Sequence, residues 1–155
     1  MIVRPFKKSD APACCNVINS CLTAMTNLDN PTRFYAMSNN IPADFYAAIK
    51  DDYALVAELH GQIVGVAALH DDEMHHVYVS PDYQGSGIGE TLVLALEAEA
   101  KAYGITQLHI TAAQDAVEFF KHIGYRIQGN QYRKVKYSAI QEVKMTKTIA
   151  ESASV

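Results

Sequence analysis

The sequence predicts a mixed α/β fold, with a mostly antiparallel central sheet of about six to seven strands flanked by about four helices. Three observations predict it. Segments with the two-residue alternation of strands are interleaved with segments whose apolar residues recur every three to four positions. Three strand-like segments between residues 53 and 79 follow one another with no helix between them, which makes them a meander. Finally, an apolar strand passes through Gly85, Gly87 and Gly89 straight into a long amphipathic run.

The elements follow in order. Residues 2–6 read as a short strand. Ser9 or Asp10 caps a helix that tolerates Pro12 in its first turn, and Cys14, Val17, Ile18, Cys21, Leu22 and Met25 form its buried stripe. Residues 27–42, punctuated by prolines and asparagines, read as a loop or short helical pieces. A short helix follows, with Phe45, Ala48 and Ile49 inward and Asp44 near its start. Strands over Tyr53–Leu59 and 62–69 form a hairpin around His60-Gly61, and Glu73–Val79 adds a third strand closed by Ser80-Pro81.

After the glycines, Leu92, Ala95, Leu96 and Tyr103 mark the buried face of a helix that stops at Gly104, with Glu97 and Lys101 paired on its outside. Residues 108–111 are the next strand, and 116–123 a helix ended by Gly124. The stretch 125–149 holds two strands joined by polar residues 130–134. Residues 1–150 therefore read as a single domain, and 151–155 as a frayed tail.

Size and composition narrow the function. A chain of 155 residues supports one core of ordinary size, and 49% hydrophobic with 19% charged residues is the balance of a soluble globular protein. A formal charge of −4 argues against general nucleic-acid binding, which wants a basic face. The N-terminal stretch MIVRPFKKSD lacks the apolar run of a signal peptide, and no segment approaches a membrane span, so a cytoplasmic protein with no membrane partner is expected. Cys14, Cys15 and Cys21 fit neither a zinc knuckle nor a disulfide framework and read as buried thiols.

The glycines carry the chemistry. A strand that ends in a glycine-rich turn and opens a helix exposes unpaired N–H groups and aims the positive end of the helix dipole at the same point. The stretch Gln84-Gly85-Ser86-Gly87-Ile88-Gly89 is therefore a candidate phosphate cradle. No Gly-Lys-Ser/Thr follows, which excludes a Walker loop, and the dinucleotide fingerprint fails because Glu90 stands at its third glycine position.

The pattern V-x-P-x-Y-Q-G-x-G-I-G, from Val79, Pro81 and Tyr83 through Gly89, closely resembles the GNAT superfamily of N-acyltransferases. A second motif agrees: Ala116, Phe119, Phe120, Gly124 and Tyr125 form A-x-x-F-F-x-x-x-G-Y, the F-F variant of the family's C-terminal motif. The resemblance implies acetyl-CoA as co-substrate and no metal. It implies that the backbone of Val77, Tyr78 and Val79 bonds the pantetheine arm, that the loop from Gln84 to Gly89 holds the pyrophosphate, and that Phe120 walls the coenzyme pocket.

The implied reaction is direct transfer of an acetyl group to a primary amine of a small molecule or peptide. An alkyl ammonium with a pKa near ~10.4 must lose a proton before it can attack. Family members often place a glutamate six residues before the valine of V-x-P, which here is Glu73. Strict alternation puts Glu73, His75, Val77 and Val79 on one face, toward the thioester. His75 is a second possible proton relay, whereas alternation sends His75 and His76 to opposite faces and so denies them a shared metal.

Many relatives carry a tyrosine that protonates the leaving thiolate where this chain has Phe120; Tyr125, Tyr132 or water would replace it, or the thiolate would leave unaided. Phe34, Tyr35, Asp44, Tyr46 and Tyr132 are candidates for the acceptor site. A homodimer through the final strand, common in the family, is left open. The competing expectation is a non-catalytic acyl-CoA-binding sensor.

Overall fold

The computed structural model describes residues 1–136 and 138–150. In chain order it has β1 (Ile2–Pro5), α1 (Ala11–Ala24), α2 (Asn30–Asn39), α3 (Pro42–Ile49), β2 (Tyr53–Leu59), β3 (Gln62–His70) and β4 (Glu73–Val79). There follow α4 (Ile88–Ala102), β5 (Gln107–Ala113), α5 (Val117–His122), β6 (Arg126–Val135) and β7 (Ser138–Thr148). The strands form one seven-stranded sheet in the order β1-β2-β3-β4-β5-β7-β6. Every neighbouring pair is antiparallel except β4 and β5, which are parallel. The mixed α/β class with a mostly antiparallel sheet is thus as the sequence predicts. The tail 151–155 lies outside the described residues.

Helices cover both faces. On one side α4 lays Leu92, Val93, Leu96 and Ala100 against Leu55, Ala57, Val64, Met74 and Met145. On the other, α1 and α3 set Ala11, Cys14, Ile18, Phe45 and Ile49 against Val56, Val66 and Ala68. Leu92 and Leu96 have no solvent exposure, and each such side chain contributes roughly 1.5–3 kcal/mol on burial.

One open reading is settled and three sequence expectations are corrected. Residues 30–39 form a fifth helix. Asp29 caps it by accepting from the Thr32 amide at 2.7 Å, and Pro31 sits in its first turn, where proline is tolerated. Arg33 then ties it down by donating to the carbonyls of Leu22, Met25 and Leu28, so polar bonds replace the apolar stripe that a sequence scan detects.

Residues 130–134 are not a connection. They lie inside β6, paired with β7 as far as Val135 opposite Ser138. Their polarity is that of an exposed edge strand. Tyr103 caps the end of α4 with 78% exposure rather than joining its buried face. Glu97, expected outside, is 4% exposed and meets the Lys147 ammonium at 3.0 Å and the Tyr125 hydroxyl at 2.9 Å. It shares a helix face with Val93 and Ala100, so its carboxylate is drawn inward and needs those partners.

Candidate active site

The sheet opens at β4. Pairing with β5 is confined to Glu73 opposite His109 and Met74 opposite Ile110. From His75 onward that edge of β4 carries no strand. On its other edge, pairing with β3 steps from Ala68–His75 to Val66–Tyr78, so Ala67 faces two residues. His76 takes up the extra length at φ +54°, in the left-handed region, which makes this a β-bulge.

The bulge reverses the alternation. Val77 and Val79 pack on the α4 side with Met74, while Tyr78 packs on the α1 side. Glu73, one residue before Met74, therefore faces away from Val77 and Val79, and it is exposed. The expectation that all four odd-numbered residues share one face is corrected by that single inserted residue. His75 and His76 are also not on opposite faces; their rings lie 4.7 Å apart.

Where β4 and β5 part there is a cleft of about 610 Å³. Val77, Tyr78 and Val79 line one side of it, and Ile110, Thr111 and Ala112 the other. Phe119 and Phe120 close it from α5, edge to face at 5.0 Å, with Phe120 buried. Gln84, Gly85, Gly87 and Gly89 bring the glycine loop to one end. Ser86 and Ile88 are not among the lining residues: the Ser86 hydroxyl donates to the Tyr83 carbonyl, and the Ile88 side chain is core.

The loop explains its glycines separately. Gly85 at φ +82° and Gly87 at φ +86° adopt left-handed backbone, and a Cβ at either would meet nothing within 4 Å. Gly89 is needed for closeness instead, because a Cβ there would lie 3.0 Å from the Phe119 ring. Gly87 is the N-cap of α4 and has no side chain to cap the first turn, so that turn presents its N–H groups outward. Gln84 secures the loop by donating to the Val79 carbonyl at 3.0 Å, and the Cys21 thiol donates to the same oxygen. No lysine or arginine is among the described lining residues, so backbone N–H groups and the helix dipole are what the loop offers an anion.

Beside the bulge lies a group the sequence did not suggest. Asp52, in the turn after α3, places its Oδ2 2.6 Å from His75 Nε2 and its Oδ1 2.8 Å from His70 Nδ1. Its side chain is only 4% exposed. His70 is held above the usual imidazole range by the Asp52 hydrogen bond and then by Asp71. Burial, followed by the neighbouring His75, pushes His76 down to about 4. The His76 ring stands edge-on to Phe45 at 5.4 Å. Nothing in the spacing of Asp52, His70 and His75 announces this cluster, because β3 and β4 bring it together across the sheet.

The remaining candidates separate. The Tyr125 hydroxyl is committed to Glu97, and burial raises its pKa further, so it is not free to protonate a thiolate in the cleft. Tyr132 is 70% exposed on the sheet's edge strand, away from the lining. Phe34, Tyr35, Asp44 and Tyr46 do not line the cleft either; Tyr46 lies against Phe6 and Lys8. Cys21 and Met25, expected only as helix packing, reach the cleft wall. Asp115 clasps the segment after α1 by accepting from the Thr26 amide at 3.0 Å. Among the described residues, no group of three or more His, Cys, Asp and Glu is arranged to hold a metal ion. None of their helices is long and apolar enough to cross a membrane.

Comparison with known proteins matches residues 21–149 to the family described as "Acetyltransferase (GNAT) domain". An acetyltransferase of Pectobacterium atrosepticum is 27% identical over 104 residues, 64% of this chain and 67% of the relative. A solved GCN5-related N-acetyltransferase of Rhodopseudomonas palustris superposes with a TM-score of 0.88 at 29% identity, over 95% of this chain and 94% of the other. An acetyltransferase of Salmonella typhimurium, solved with its cofactor acetyl-CoA, shares the fold with a TM-score of 0.69 at 20% identity, over 100% of this chain and 97% of that one.

Proposed function

The chain belongs to the acetyltransferase (GNAT) family, and from that premise we propose that residues 1–150 transfer an acetyl group from acetyl-CoA to a primary amine of a small molecule or peptide. The observation that carries this is the end of β4–β5 pairing at Met74. It leaves the backbone of Val77, Tyr78 and Val79 along an edge that no strand covers, where the amides of a pantetheine arm can bond like an added strand, the Val79 carbonyl excepted because Gln84 and Cys21 already donate to it. The coenzyme's pyrophosphate then meets the α4 N-terminus at Gly85 and Gly87, where the backbone stands clear of side chains.

Transfer is direct, from thioester to amine. Cys21 is the cleft's thiol, but it donates to the Val79 carbonyl and burial pushes it up to about 11, so it is a poor nucleophile for an acyl-enzyme. A thiolate leaving group with a pKa near ~8.5 departs without a dedicated acid, which suits Phe120 in the wall. A cytoplasmic setting belongs to the same proposal and is supported by three free cysteines.

The test is thiol release from acetyl-CoA with a panel of primary amines, with each product identified by mass. Release matched by acetylated amine is the expected result. Coenzyme binding with no release above the blank for any amine would instead favour the non-catalytic acyl-CoA sensor, the reading that Phe120 in place of a tyrosine supports.

A further inference from the structure

We propose that His75, oriented by Asp52, takes the proton from the acceptor amine, so that the base of this site is a histidine–aspartate pair beside the β4 bulge. The inference rests on the acetyl-transfer reading above.

Position comes first. His75 directly follows Met74, the last residue of β4 paired with β5, and it lines the cleft at that point. Orientation comes next. Asp52 is held in its turn by its amide donating to the Ile49 carbonyl at 2.9 Å, and its nearly buried carboxylate accepts from both His70 and His75. A carboxylate only accepts, so His75 donates through Nε2, and in the neutral ring this leaves the lone pair on Nδ1. Nδ1 has no hydrogen-bond partner among the described residues.

The surrounding charges act in both senses, since His70 shares the Asp52 carboxylate and is itself held toward its charged form. The titratable groups that meet His75 and Asp52 are His70 from β3 and His76 from β4, with Asp71 and Glu73 acting on His70. His76 stays uncharged at neutral pH and sets no second cation against a protonated His75. Glu73, the expected base, is exposed and outside the lining.

The chemistry balances. His75 Nδ1 takes one proton from the acceptor ammonium, and the freed lone pair forms the N–C bond to the thioester carbon. The C–S bond then breaks with its electron pair on sulfur, and the second amine proton passes to that sulfur to give the free thiol. Imidazolium returns its proton to solvent.

The test uses the whole chain. Nitrogen NMR of the free protein should show His75 with its proton on Nε2 and a bare Nδ1. Asp52→Asn should redistribute the tautomers, and acetyl-CoA should shift the His75 resonances more than those of His70. With the best amine of the panel, His75→Gln should lower kcat by ~10²–10⁴-fold with coenzyme affinity within about twofold. Asp52→Asn should lower kcat less and move the lower limb of the pH–rate profile, which a merely structural role would not do. A proton on Nδ1 in the free protein, or His75 resonances indifferent to acetyl-CoA, would overturn the proposal whether or not any amine turns over. So would a larger loss in Glu73→Gln than in His75→Gln. Failure of acetyl-CoA to bind the unaltered chain strikes instead at the transferase reading beneath it.

Discussion

Glu90 lies in the first turn of α4, next to the N–H groups that we propose take the coenzyme's phosphates, and it borders the cleft. A carboxylate there stabilises the helix but repels a second anion at the same end. Glu90→Gln should therefore tighten acetyl-CoA binding by roughly two- to fivefold at low ionic strength, and the gain should shrink as salt is added. Paired calorimetric titrations check this; an unchanged or weakened affinity would place the phosphates elsewhere. His76 makes a separate prediction about stability. Its pKa falls from 6.5 to about 4 on folding, so between those values the unfolded chain holds a proton that the native state lacks. Stability then rises with pH across that window, is fully present above 6.5, and is lost as pH drops toward 4. His70, raised on folding, acts in the opposite sense, contributing below 6.5 and fading as pH climbs through its raised value. Unfolding free energies from urea titrations at pH 5 and 7.5 should differ by roughly 2 kcal/mol more in the unaltered protein than in His76→Gln.

The glycine loop was legible in the sequence because each of its demands is local: left-handed backbone at Gly85 and Gly87, and a close ring at Gly89. The bulge was not legible, because it belongs to the register between β3 and β4, and nothing within Glu73–Val79 marks where the extra residue falls. Its consequence was large, since it turns Val77 and Val79 to the face opposite Glu73. Asp52 was invisible for the same reason. Glu97 shows a different failure. An i,i+4 match to Lys101 describes an exposed face, whereas burial beside Val93 and Ala100 commits the carboxylate to Lys147 of β7 and to Tyr125. That cluster pins α4 to the far half of the sheet and gives the tyrosine of the second motif a structural role. Glu97→Ala should lower unfolding free energy by ~3 kcal/mol, because it leaves a largely buried ammonium and a phenol unpaired. Tyr125→Phe should lower it by only ~1 kcal/mol. Urea denaturation of both variants measures the difference, and equal losses would contradict the account.

Across the molecule, one sheet holds two tasks in place. The antiparallel run β1 to β4 carries the bulge and the imidazoles, while β5, β7 and β6 carry the opposite wall, and the halves meet through only two residue pairs of a parallel contact. That brief pairing holds the sheet together yet leaves the rest of β4 open. Helices α4 and α5 close over the opening with the glycine loop and Phe120. The order of elements, α2 apart, could be read from hydrophobic period and turn residues, but the opening could not, because it depends on how far two strands stay together. The central claim is that this opening is a coenzyme site. Calorimetric titration of acetyl-CoA into the unaltered protein and into Gly87→Glu, with both confirmed folded by circular dichroism, tests it most directly. The account predicts one-site binding of micromolar strength that the variant loses, as the new side chain enters the phosphate space. Absence of binding by the unaltered protein, or equal binding by both, would contradict it.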